Sequence, residues 1–212
     1  PEGVETIEPY AFYISHVDEI VLPESLRTIE DHGIFGANIS EISLPDGLAY
    51  IGDRAFGITK IETIELPSGL TYIGQDVFGS TETYPVAWTK PAAVLSIGPD
   101  LMTIDPTSFT RLAVSAYEGD PDNKYFSSVN GLLLDVTGQT LLAYPNCAGE
   151  YIEIPETVTA IGAYAFSGCW SLKDVYLGEN IQFISSLAID KSYWYYDENG
   201  SRQYERSAWI TI

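Results

Sequence analysis

Four isoleucines, Ile7, Ile29, Ile51 and Ile73, recur 22 residues apart, in frames that open on a proline: PEGVETIEPYAF from Pro1, PESLRTIEDHGIF from Pro23, PDGLAYIGDRAF from Pro45 and PSGLTYIGQDVF from Pro67. A fifth copy starts at Gly98 (GPDLMTIDPTSF), a sixth at Pro155, and a degenerate seventh at Gly178 (GENIQFISSLAI). In six of the seven a phenylalanine, or Ile189 in the last, follows the isoleucine by five positions; from Ile29 to Phe35 the step is six, and His32-Gly33 read as absorbing the extra residue. A unit this short cannot bury its own apolar side. Stacked copies can, by sharing columns of Leu, Ile and Phe, so a fixed period of this length predicts a chain that coils along one axis.

The residue types within one unit give the path of a coil. Before each proline lies an apolar-x-apolar triplet: Ile20-Val21-Leu22, Ile42-Ser43-Leu44, Ile64-Glu65-Leu66, Ile152-Glu153-Ile154 and Val175-Tyr176-Leu177. Each reads as a short strand with one buried face. Proline has no amide hydrogen for a ladder, so its recurrence marks a corner. A second short strand follows, such as Leu70-Thr71-Tyr72-Ile73, and turns at Gly74 into a compact stretch carrying Phe78. Thr6, Thr28, Tyr50, Tyr72 and Thr103 each precede the isoleucine, which suits exposed ladder positions.

Three segments depart from the period. In residues 79–93 (GSTETYPVAWTKPAA) the connection lengthens around Trp88 and two prolines, and a protruding loop is expected. Residues 120–150 insert GLLLDVTGQTLLAYP, two apolar runs around Thr137-Gly138 that read as a β-hairpin. The end, SYWYYDENGSRQYERSAWITI, sets aromatics on both sides of Asn199-Gly200, again a hairpin pattern. It is expected to cap the last open coil; Tyr193, Trp194, Tyr195 and Tyr196 could instead form an aromatic platform for a glycan.

Charge narrows the partners. With 30 acidic against 10 basic residues, a formal charge of −20, the chain should repel nucleic-acid phosphates and anionic membranes. No apolar run approaches the ~20 residues that span a bilayer, and no signal peptide is present. The chain opens at Pro1 inside a repeat, without an initiator Met, and reads as a processed or trimmed fragment. Catalytic signals are missing from the sequence. His16 and His32 occupy non-equivalent turns and read as exposed loop histidines, and there is neither a G-x-S-x-G elbow nor a phosphate loop. Asp120-Pro121-Asp122-Asn123 gathers oxygens in a turn but lacks the progression of a calcium loop, so it reads as a solvated acidic turn. No enzyme activity, cofactor or metal is expected.

The repeats resemble the BspA-type (Treponema-type) leucine-rich repeats of bacterial surface proteins. The motif is L-x-x-[IV]-x-L-P-x-x-[LV]-x-x-I-G-x-x-A-F-x-x-C, best met by residues 154–177, IPETVTAIGAYAFSGCWSLKDVYL. The family often carries a segment like DNKYFSSVNGLLL from Asp122 followed by Leu-Leu-x-Tyr-Pro, as at Leu141 to Pro145. The resemblance implies a solenoid exported to the cell surface or secreted, serving adhesion or protein recognition, without naming a ligand. It bears on the cysteines as well. Cys147 and Cys169 are 22 residues apart, one repeat, so adjacent coils should bring them near each other, within reach of a disulfide. A buried free thiol at the motif's Cys position is the commoner state for such repeats, and both states stay open.

The expected architecture is mainly β, a right-handed leucine-rich-repeat solenoid of about seven repeats, with short turns or 3-10 segments and a β-hairpin insertion. It forms one domain over 1–212: regular repeats in 1–97, a degenerate repeat with the insertion in 98–154, repeats in 155–189, and a cap or hairpin in 190–212. Strand alternation places the candidate interaction face at Glu19 and Val21, Glu41 and Ser43, Thr63 and Glu65, Val94 and Ser96, Tyr151 and Glu153, and Asp174 and Tyr176. The expected partner is a protein, such as a host surface or matrix protein. A glycan bound through Trp88, Trp170, Trp194 or the Tyr193 to Tyr196 cluster is the competing reading, and a structural spacer within a larger protein is the third.

Overall fold

The computed structural model describes residues 2–79 and 91–189, together with the backbone of two strands, Ser192–Tyr196 and Arg202–Arg206. It is a β-solenoid. Its most regular part is a parallel sheet of two-residue strands, β1 (Thr6–Ile7), β2 (Thr28–Ile29), β3 (Tyr50–Ile51), β4 (Tyr72–Ile73) and, after the longer β5 (Ala93–Ile97), β6 (Thr103–Ile104). The register runs Thr6, Thr28, Tyr50, Tyr72, Thr103 on the outside and Ile7, Ile29, Ile51, Ile73, Ile104 on the inside. The corners at Pro23, Pro45, Pro67 and Pro155 are hydrogen-bonded turns in which the residue three on, a leucine or Val158, donates to the proline carbonyl, as from Leu48 N to Pro45 O at 3.0 Å and Leu70 N to Pro67 O at 3.1 Å. Beyond the ladder the chain runs straight over the previous coil. A Cβ at Gly52 would lie 2.6 Å from the Asp31 amide nitrogen, and one at Gly74 2.7 Å from that of Asp53, which accounts for the Ile-Gly pair.

The compact stretch after the ladder is a turn with two left-handed residues at fixed places. Three residues after the isoleucine φ is positive in Tyr10, His32, Arg54, Asp76, Tyr164 and Leu187, and seven after it in Ile14, Gly36, Ile58 and Gly168. The turns bond to one another across coils through alternate amides: Phe56 N to Val77 O, Ile34 N to Ala55 O and Phe12 N to Gly33 O, at 2.8 to 3.0 Å. This corrects one expectation. The second repeat has no extra residue. Ile34, fully buried, fills the place of Phe12, Phe56 and Phe78, while Phe35 stacks on Tyr13 at 5.3 Å one position further out. Gly57 leaves room for that ring, since a Cβ there would be 2.8 Å from it.

A second correction concerns the strands before the prolines. Residues 20–22, 42–44 and 64–66 are extended but join no ladder. Among the described residues only β5 with β7 (Val114–Gly119), and β11 (Tyr151–Glu153) with β13 (Asp174–Tyr176), pair in parallel on that side. In the first coils, therefore, two sides of the unit are bonded regularly from coil to coil, while the third has isolated bonds such as Lys60 N to Ile39 O at 2.8 Å and Ala113 N to Glu62 O at 2.7 Å, and no ladder at the triplets.

The insertion is larger than a hairpin. β8 (Phe126–Val129), β9 (Leu132–Asp135) and β10 (Thr140–Ala143) form an antiparallel meander, and β10 then pairs in parallel with β12 (Ala160–Ile161), which pairs with β14 (Phe183–Ile184). The insertion thus rejoins the solenoid as a coil strand. The Asp135 carboxylate makes the turn, accepting from the Gln139 and Thr140 amides at 2.9 Å. β9 is buried on both faces and divides the apolar interior: Leu133 belongs with the core of the N-terminal coils, Leu132 and Leu134 with that of the later ones. Residues 106–109 form one 3-10 turn, with Asp105 accepting from the Thr107 amide at its start. β15 (Ser192–Tyr196) and β16 (Arg202–Arg206) pair antiparallel as the aromatic tail predicts. The Trp88 loop, the Asn199-Gly200 turn and the side chains of the tail lie outside the described residues.

Candidate functional site

The unladdered side of the first coils is where the expected face lies. Where two such segments run side by side without forming a ladder, a depression opens between them. One, of about 720 Å³, lies between residues 18–24 and 40–45 and takes in Glu19, Val21, Glu41 and Ser43. The next, of about 660 Å³, lies between residues 41–44, 63–65 and 91–94 and takes in Glu41, Ser43, Thr63, Glu65 and Val94. Both are shallow and open. Their lining is acidic, with Asp18, Glu19, Glu24 and Glu41 on the first and Glu41 and Glu65 on the second, while Val21 stands 83% exposed.

The remaining predicted positions form two other ladders. Ser96 pairs with Glu118 in the β5–β7 sheet, and a third depression, of about 370 Å³, takes in Ser96, Glu118 and Asp120. Tyr151 pairs with Asp174 and Glu153 with Tyr176 in the β11–β13 sheet. Tyr151 and Tyr176 are 69% and 48% exposed, and Ile152 and Val175 between them point into the core. None of the predicted face residues is buried, and Thr63 and Asp174 are half-buried. Asp18, Glu24 and Pro91 also line the depressions without having been singled out by alternation.

Polar side chains with structural duties account for other sequence candidates. Asn123 is 5% exposed; its amide nitrogen donates to the Gly98 and Leu101 carbonyls at 2.7 and 3.0 Å, and its oxygen accepts from the Tyr125 and Phe126 amides at 2.7 and 2.8 Å. The Asp120 carboxylate accepts from the Asp122 amide at 2.8 Å. These bonds shape the turn. No group of His, Cys, Asp and Glu among the described residues is arranged to hold a metal ion. His16 is exposed, as expected, but His32 is half-buried, stacked on Tyr10 at 5.1 Å and tilted against Phe35 at the same distance. Cys147 and Cys169 form no disulfide with each other. Cys169 is buried and its sulfur contacts the Tyr144 carbonyl at 3.6 Å, while burial pushes the Cys147 thiol up from its ordinary value. Trp170 is half-buried; the side chains of Trp88, Trp194 and the Tyr193 to Tyr196 cluster lie outside the described residues. No helix among the described residues is long and apolar enough to cross a membrane.

Comparison with known proteins agrees with this geometry. The fold is similar to a leucine-rich repeat protein from Eubacterium ventriosum, with a TM-score of 0.69 and 19% identity over 87% of this chain and 48% of that one. It is also similar to the pneumococcal vaccine antigen PcpA, with a TM-score of 0.59 and 24% identity over 86% of this chain and 53% of that one. A leucine-rich repeat protein from Bacteroides ovatus matches with a TM-score of 0.51 and 18% identity over 88% of this chain and 44% of that one. The chain spans about half the length of these solved structures. No curated protein sequence matches it significantly. The model of the BspA type leucine rich repeat region matches six copies, over residues 1–110 and 142–194, so that on more than half of its length the chain belongs to the BspA-type leucine-rich repeat family.

Proposed function

We propose that this chain is a non-enzymatic protein-interaction module, displayed on the bacterial surface or secreted, that engages a partner protein along the unladdered side of its first coils. The observation that carries the reading is the pair of open acidic depressions between residues 18–24, 40–45 and 63–65, repeated at the coil period. A row of exposed carboxylates and aliphatic side chains on a repeating scaffold suits an extended partner surface, and its charge selects a basic one. Shallow, open depressions do not enclose a small substrate. Membership of a family of surface and secreted bacterial proteins supports the placement.

The test is to screen the full chain against matrix and host surface proteins, then to compare any ligand's binding to the Glu41→Lys and Glu65→Lys variants. Reversed charges are expected to slow association and to flatten its salt dependence. Unchanged affinity and salt dependence in both variants would count against this face.

A further inference from the structure

On the other side of the coil, past the Pro45 corner, the outward ladder Thr6, Thr28, Tyr50, Tyr72, Thr103 changes from threonine to tyrosine and back. Tyr50 and Tyr72 stack at a centroid distance of 4.7 Å and an interplanar angle of 6°. That separation is the coil spacing itself: the two rings stand on paired positions of neighbouring strands, one strand spacing apart. Neither ring is buried, and neither makes a further ring contact among the described residues. The outer ring faces look along the ladder over the short side chains of Thr28 on one side and Thr103 on the other. Both therefore border space that the next coil does not fill with a ring.

Carboxylates flank this pair. Asp31 accepts from the Asp53 amide and Asp53 from the Gln75 amide, both at 2.8 Å, which holds the two side chains in file over Gly52 and Gly74 beside the ladder. Two coils on from Asp53, Asp105 follows Ile104 directly, at the place Gly74 holds after Ile73, and its carboxylate accepts from the Thr107 amide at 2.9 Å. Their field reaches the phenols. Burial first, and then the Tyr72 phenol and the charges of Asp31, Glu30 and Asp53, push Tyr50 up from its ordinary value; burial and then Asp53, Asp31 and Asp105 do so for Tyr72. A field that opposes a phenolate favours a cation. The arginines of these coils are engaged elsewhere, Arg27 with the Glu24 and Leu26 carbonyls at 2.8 and 2.9 Å and Arg54 with Asp76 at 3.4 Å.

We propose that the outer faces of Tyr50 and Tyr72, with Asp31, Asp53 and Asp105 beside them, form a two-slot docking site for an extended polypeptide segment carrying two arginines four residues apart. A guanidinium stacks on an aromatic face and pairs with a carboxylate at its edge, which an ammonium does less well. From Thr28 to Thr103 the ladder covers three strand spacings, about 14 Å. Four residues of extended chain span about 13 Å and return to the same face, so the two side chains meet the two slots without bending the backbone. The site is on a different side of the coil from the depressions described above, and its occupancy does not depend on theirs.

The test is a fluorescence-anisotropy titration of the full chain with a labelled peptide of Gly, Ser and Thr carrying two arginines four residues apart, beside one with arginines three apart and one with lysines four apart. The four-residue arginine peptide is expected to bind tightest and to weaken with salt. Tyr50→Ala and Tyr72→Ala should each weaken it about threefold and the pair about tenfold, while Tyr50→Phe with Tyr72→Phe retains binding. Asp53→Asn should weaken it and Glu41→Gln should not. Circular dichroism melts establish that each variant is folded. Equal binding of the two arginine spacings, or an alanine pair that binds like the parent, would reduce the attraction to the net charge of −20 and overturn the proposal, as would no binding at all.

Discussion

The regular coils before residue 79 and the joint between residues 105 and 146 are held together in different ways. In the coils apolar side chains stack in columns: Ile7, Ile29, Ile51 and Ile73 in one, Leu26, Leu48 and Leu70 in a second, and Phe56 on Phe78 at 5.3 Å in a third, where Ile34 holds the place of a phenylalanine. The backbone carries the coil-to-coil bonds there, and the core is aliphatic and aromatic. In the joint the period breaks, so backbone groups lose their translational partners and side chains take over. Asn146 donates to the Leu112 carbonyl at 2.7 Å and accepts from the Val114 amide at 3.0 Å; Asn123 makes four such bonds; Ser108 donates to the Gly74 carbonyl. All three are buried. Periodicity lets apolar columns suffice, whereas an interruption needs polar side chains of defined shape, because buried backbone groups left unpaired are costly.

The largest effect should come from breaking a column. Phe56→Ala, at a fully buried site between neighbouring coils, is expected to lower stability by about 3–5 kcal/mol in urea unfolding. A loss under 1 kcal/mol would show that adjacent coils collapse into the gap. Asn146→Ala and Asn123→Ala should each cost about 2–3 kcal/mol by orphaning buried backbone groups. Asn146→Ala should also separate the melting of the two cores into two calorimetric transitions; a single sharp transition would mean that β9 alone couples them.

A milder test of the joint is alkaline pH. Burial, and then Cys169, pushes the Tyr144 phenol up to about 12, and the fully enclosed Tyr117 is raised further for the same reasons. An unfolded tyrosine ionises near pH 10, so the folded state, holding its protons, has stability that is present below pH 10 and lost as pH climbs from 10 toward 12. Tyr117→Phe should shallow that decline in urea midpoints measured between pH 8.5 and 11. The smallest effect expected is a gain: Ile58, β-branched and exposed, sits at φ 60° where Gly36 and Gly168 serve other coils. Ile58→Asn should raise stability by about 0.5–1 kcal/mol, and a drop in the urea midpoint would show that Ile58 packs more than its exposure implies.

Spacing made the repeats, their proline corners, the outward Thr and Tyr ladder and the hairpin after Gly131 legible, because each depends on residues close in sequence or on one fixed offset. Counting from Ile29 to Phe35 misplaced a residue, since the pattern of aromatics hid that Ile34 holds the register and Phe35 the neighbouring place. The candidate face was partly legible: alternation marked Glu19, Val21, Glu41 and Ser43 as outward, but could not tell an outward strand in a ladder from one bordering an open depression. Nor could it show that Tyr50 and Tyr72 stack in parallel, although their 22-residue offset was the available signal.

What the sequence determined by itself, then, was that this chain coils, which residues enter its columns, and that its surface is strongly acidic, for these follow from period and composition. Only the tertiary structure decided which side of each coil closes with hydrogen bonds, how β8 to β10 rejoin the stack, and that Asn123 and Asn146 hold the joint. Those outcomes depend on where backbone groups from distant coils find partners, and a one-dimensional pattern carries no record of that.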